Sequence, residues 1–64
     1  MRREIRVYER TESVTILSAE VEGTYRVIWH RSDGEPDEEF HVTPSEGDSV
    51  EEAVRKDLHA RLGP

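Results

Sequence analysis

Polar and apolar residues alternate along most of the first two thirds of the chain, in four runs at roughly 3–10, 13–22, 24–31 and 38–43. A period of two, with Val, Ile, Thr, Tyr and Trp prominent, is the signature of half-buried strands. Polar turns separate the runs at Thr11-Glu12, Glu22-Gly23 and Asp33-Gly34-Glu35-Pro36. Strands joined this closely pair antiparallel, so the pattern predicts a 1-2-3-4 meander. Short loops at those turns set Val7 opposite Ile16, Ile16 opposite Trp29, Trp29 opposite Phe40 and Val27 opposite Val42. One face then collects Ile5, Val7, Val14, Ile16, Tyr25, Val27, Trp29, Phe40 and Val42. A slip of one residue in any strand would turn its apolar set to solvent.

The period then changes. Val50, Val54, Leu58 and Leu62 recur at i, i+4, flanked by Ala53 and Ala60, as on the buried stripe of a helix. Asp48 or Ser49 can cap its start, with Ser49-x-x-Glu52 reading as a capping box; Gly63 and Pro64 stop it. Glu51–Arg55, Glu52–Lys56 and Asp57–Arg61 are spaced as i, i+4 ion pairs. The expected fold class is α+β: residues 1–64 form a single domain, a four-stranded antiparallel meander sheet with one C-terminal helix packed on one face.

Composition narrows what such a domain can do. Sixty-four residues can build only a small core, and without cysteine no disulfide or thiolate metal site can reinforce it. No apolar run reaches the length of a signal peptide or membrane span, so the expectation is a soluble cytoplasmic protein. The net charge of −6 divides into +1 over residues 1–31 and −7 over residues 32–64. Bulk charge of that sign does not favour nucleic acid.

Catalytic signatures are missing from the sequence: there is no Gly-rich phosphate loop, cysteine nucleophile or Ser/His/Asp arrangement. Neither an enzyme nor a cofactor is expected. The run Asp33-Gly34-Glu35-Pro36-Asp37 lacks the ligand spacing of a calcium loop. The expected register sets Glu39 opposite His30 with His41 diagonal to it. Those three side chains can hold a divalent metal or, more simply, form a surface His–Glu pair.

Two surfaces remain as candidates for contact. The first is acidic. Register pairs Glu38 with Arg31 and Glu39 with His30, leaving Asp33, Glu35 and Asp37 at a hairpin tip, and Glu46 and Asp48 before the helix, without partners. They are either solvated tips or a phosphate-like array that occupies the groove of a basic nucleic-acid-binding enzyme. The second is the sheet face away from the helix, where Arg6, Tyr8, Leu17, Val21, Arg26 and Ile28 are expected together with Arg10, Thr15, Ala19, His30 and His41. An apolar patch rimmed by Arg and Tyr suits a protein contact, with a homodimer the simplest form. The same face is the alternative site for nucleic acid, by base stacking. In the plainer reading, arginine stems cover the patch.

Residues 45–54, SEGDSVEEAV, follow a strand carrying Tyr25 and an Asp-Gly turn. From Tyr25 to Leu62 this layout resembles HicB-type antitoxins, in which a strand and Asp-Gly hairpin lead through Gly-Asp-[Ser/Thr]-x-Glu-Glu-Ala into a helix. The resemblance implies a non-enzymatic domain that masks a small toxin ribonuclease. The sequence therefore points to a small acidic protein-binding module, an inhibitor or antitoxin-like neutraliser of a nucleic-acid-handling protein.

Overall fold

A computed structural model describes residues 1–63. Its strands are β1 (Arg2–Val7), β2 (Arg10–Ser18), β3 (Tyr25–His30) and β4 (Glu38–Val42), followed by the helix α1 (Val50–Leu62). The sheet is antiparallel in the order β1-β2-β3-β4, and α1 lies across one face against β1 and β4. The α+β meander expected from the alternation is the fold observed. Pro64, read from the sequence as part of the helix stop, lies outside the described residues.

The apolar face is composed as the alternation requires. Ile5, Val7, Val14, Ile16, Val27, Trp29, Phe40 and Val42 are buried with Val54 and Leu58 of α1, while Tyr25, Val50, Ala53 and Leu62 pack partly buried around them. At roughly 1.5–3 kcal/mol for each large side chain removed from water, this layer is the main stabilising term. The helix begins where its cap predicts: the Ser49 side-chain oxygen accepts the Glu52 N–H at 3.1 Å. Glu52 does not return the bond that would complete the box; its carboxylate pairs with Arg55. Of the three expected i, i+4 pairs only Asp57–Arg61 forms, since Lys56 reaches back to Asp48 and Glu51 meets Arg3 of β1.

Register differs from expectation in every hairpin. Val7 pairs with Arg10, Val14 with Trp29, Ile16 with Val27, Val27 with Phe40 and Tyr25 with Val42. Every displacement is an even number of residues, so the apolar side chains of the core keep their face. The first turn lies at Tyr8-Glu9 rather than Thr11-Glu12, with φ of 49° and 64°. Two successive left-handed residues make the tight turn whose twist matches the strands it joins. The second hairpin closes through residues 20–23: Ala19 N–H donates to the Thr24 carbonyl and Thr24 N–H to that of Val21, with Gly23 at φ 83°. The predicted run 13–22 therefore ends as a strand at Ser18.

Moving the first turn re-aims three residues. Arg10 and Glu12 now share the face of Val14 and Ile16, whereas Arg10 was expected on the opposite one. Tyr8 also leaves the second sheet face. It stacks on His59 of α1 with ring centroids 4.2 Å apart, and its hydroxyl lies 3.3 Å from His59 Nδ1. Gly63 fits beneath this ring because it has no side chain: a Cβ there would sit 2.7 Å from Tyr8 Oη and 2.8 Å from the His59 carbonyl oxygen.

Candidate partner-binding surface

The meander sends its connections to opposite ends of the sheet. The β1–β2 turn and the β3–β4 loop share one end with the C-terminus of α1. The β2–β3 and β4–α1 loops share the other, tied together by Thr24 and Thr43, whose hydroxyls are 3.1 Å apart. The acidic residues singled out in the sequence are thereby divided. Asp33, Glu35 and Asp37 lie at the first end, Glu46 and Asp48 at the second.

Most of these acids already have partners, against the expectation that all five are free. The Arg31 guanidinium lies 4.1 Å above the Trp29 ring and forks to Asp33 and Glu38. Asp33 also accepts the Glu35 N–H at 3.2 Å. Asp37 accepts the Arg31 N–H at 3.1 Å through one oxygen and meets His30 Nδ1 at 3.0 Å through the other. The Arg31 hydrogen bond holds the Asp33 carboxyl below its ordinary range, and His30 does the same for Asp37. Arg31 is raised in turn, first by Asp33. Asp48 is paired with Lys56 at 2.8 Å, which raises the lysine. Among the described residues Glu35 and Glu46 alone of the five lack an ion-pair partner. The loop acids mainly fasten the fold: Asp33 and Asp37 rebuild in side chains the bonds that the 31–37 backbone does not make with a strand.

The second sheet face is a mixed polar surface. Across it Arg2, Thr15, Ile28 and Glu39 stand in one row, and Leu17, Arg26 and His41 in another. Arg6 is at its edge. Leu17 and Ile28 are half-buried, and the Arg26–Glu39 ion pair at 3.6 Å runs diagonally beside Ile28. With Tyr8 against the helix this face carries no aromatic ring other than imidazole, so a base-stacking platform has no tyrosine to use. His30, Glu39 and His41 do not converge. Glu39 is opposite Ile28, while His30 is held between Thr15 Oγ1 at 2.6 Å and Asp37. Among the described residues no group of three His, Cys, Asp or Glu side chains is placed to hold a metal ion.

Val21 is also off this face, in the β2–β3 loop, and 67% exposed. Glu20 and Glu22 flank it, neither with an ion-pair partner among the described residues. Beside them an open cleft of about 410 Å³ runs between Ser18–Val21 and Thr24 on one side and Arg26, Glu39 and His41 on the other. Glu46 projects from the other loop at this end. The sequence reading missed this tip because it extended the strand through Val21. The turn was placed correctly at Glu22-Gly23, but the loop is longer than the two residues expected, with Ala19 and Thr24 closing it and Val21 inside it.

A second feature escaped the sequence reading. Glu12, 3% exposed, accepts the Trp29 indole N–H at 2.9 Å and meets Arg10 Nε at 3.1 Å. The available signal was Trp29 itself, since a buried indole N–H requires an acceptor. Glu12 belongs to this packing layer and not to a reactive site: both its oxygens are engaged, and Ile5 lies opposite it in the sheet. No helix among the described residues is long and apolar enough to cross a membrane. Set against known protein families, curated proteins and solved structures, the chain matches none of them.

Proposed function

We propose that this chain is a small non-catalytic protein-binding module for a partner with a basic surface. The observation that carries this reading is Val21, an exposed apolar side chain between the unpaired Glu20 and Glu22 and beside an open cleft. An apolar anchor ringed by uncompensated charge suits a protein contact: burial supplies affinity, and the acids steer a cationic partner. Glu46 extends the acidic rim at this end. Within that class the antitoxin-like stretch 25–62 favours a neutraliser of a nucleic-acid-handling enzyme. Asp33 and Asp37 are committed to Arg31 and His30, so the phosphate-like contacts fall to Glu20, Glu22 and Glu46.

The test begins with immobilised chain, from which the retained protein is identified and then purified for reconstitution. A one-to-one complex that weakens with added salt is expected. It should weaken at least about tenfold when Glu20, Glu22 and Glu46 become Gln and Val21 becomes Ser. A complex indifferent to those changes, or retention of oligonucleotide in place of protein, overturns the reading.

A further inference from the structure

The outer edge of β1 is the longest unpaired edge of the sheet. Met1 exchanges both main-chain hydrogen bonds with Ile16, which fixes the phase of the β1–β2 ladder. Residues 1, 3, 5 and 7 direct their N–H and C=O groups into β2. Arg2, Glu4 and Arg6 direct theirs outward. On the other edge, the same alternation carried through the sheet leaves only Glu39 and His41 of the shorter β4 outward-facing. Among the described residues no strand pairs with this edge of β1, and an open cleft of about 370 Å³ lies between Glu4–Arg6 and Ser49, Glu51, Glu52 and Arg55 on the helix side.

We infer that this edge pairs with the same edge of a second copy of the chain, antiparallel about a two-fold axis at Ile5, to make a continuous eight-stranded sheet. The strand is self-complementary in that register. Glu4 falls opposite the second copy's Arg6, and Arg6 opposite its Glu4, on the exposed face. Both belong to the outward-pointing set, so each pair exchanges two main-chain hydrogen bonds. Neither Glu4 nor Arg6 has an ion-pair partner within its own chain among the described residues. Charge selects this register over its neighbours. A slip of two residues one way sets Glu4 against Glu4 and Arg2 against Arg6; a slip the other way sets Arg6 against Arg6. Centring on Arg3 opposes two arginines at the axis. Edge strands are ordinarily blunted by charge of one sign, but the Arg-Glu-Arg alternation on this one attracts its own copy.

The experiment is sedimentation of the full chain over a wide concentration range. Wild type is expected to pass reversibly from monomer to dimer. Glu4→Arg and Arg6→Glu, each alone, set two like-charged pairs across the axis and should weaken association at least about tenfold. An equimolar mixture of the two variants restores both attractive pairs, so a dimer with one chain of each kind should form. The double variant E4R/R6E should dimerise by itself. Both positions are solvent-exposed, and circular dichroism of each variant verifies that the fold is kept. The inference is overturned if wild type stays monomeric at millimolar concentration, or if mixing the single variants does not restore association. It is equally overturned if Leu17→Glu abolishes the dimer while Glu4→Arg leaves it intact, which would place the contact on the open sheet face.

Discussion

Glu12 and Trp29, on adjacent strands and both nearly inaccessible to solvent, are joined by a 2.9 Å bond from the indole N–H to a carboxylate oxygen. This bond lies within the apolar layer, so losing one partner costs more than a surface bond would. Glu12→Leu strands a buried donor and should destabilise by about 1–3 kcal/mol. For a domain of this size that is a fall of roughly 4–8 °C in Tm per kcal/mol. Glu12→Gln retains an acceptor and should lose less. Trp29→Phe removes the donor, and the double variant Glu12→Leu/Trp29→Phe should cost less than the sum of the singles. Thermal unfolding of the four proteins measures the coupling; strict additivity would contradict it.

The loop carboxyls make stability depend on pH in a stated direction. Asp33 and Asp37 have folded pKa values below their ordinary 3.8, held there chiefly by hydrogen bonds from Arg31 and His30. In acid the unfolded chain therefore binds more protons at these sites than the folded one. Their contribution is fully present above about pH 5 and is lost as pH falls through the folded values. Denaturant titrations should show Asp37→Asn less stable than wild type at neutral pH, with the gap closing below about pH 4. A gap that persists unchanged into acid would mean that the carboxylate charge is not what stabilises the loop.

These two relationships mark the boundary between what the alternation reveals and what it hides. The apolar face was legible in full, because face depends only on parity and every register displacement is even. Partner identity was not, because it depends on register itself. Two residues of displacement between β3 and β4 carry Glu39 from His30 to Ile28, and Asp37, not Glu39, meets His30. That is why acids that look free in the sequence are bound in the fold. The buried Glu12 was hidden for a related reason. A carboxylate between two polar residues resembles a turn until the strand is extended back to Arg10.

The helix carries a larger share of stability than its length implies. Val54 and Leu58 are its only fully buried residues, in a helix that packs against both edge strands of the sheet. Leu58→Ala should cost about 2–5 kcal/mol. At about 0.05–0.15 kcal/mol of stability per residue, a loss of that size is a large fraction of what a 64-residue chain has. Ala60→Ser, on the exposed side of the same helix, should change stability by no more than about 0.5 kcal/mol. Far-ultraviolet circular dichroism during chemical denaturation distinguishes the two. Comparable losses would mean that α1 packs through a different side.

The Tyr8-Glu9 turn shows how a local cost is balanced by a distant contact. Both residues adopt left-handed backbone, a conformation that favours Asn and Gly and disfavours Tyr and Glu. Among the described residues Glu9 has no hydrogen-bond or ion-pair partner to offset this, so Glu9→Gly should raise stability by a few tenths to about 1 kcal/mol, net of the greater freedom of glycine in the unfolded chain. Tyr8 is different, because its ring stacks on His59 and its hydroxyl lies within 3.3 Å of the imidazole. Tyr8→Asn gains the same backbone relief but forfeits a stack worth about 0.5–1.5 kcal/mol, so it should be neutral or destabilising. In a His59→Ala background the stack is already gone, and Tyr8→Asn should then stabilise. This reversal of sign between two backgrounds, read from thermal melts, is the expected signature of turn strain balanced by the helix. If Tyr8→Asn acts alike in both, the strain and the stack are independent.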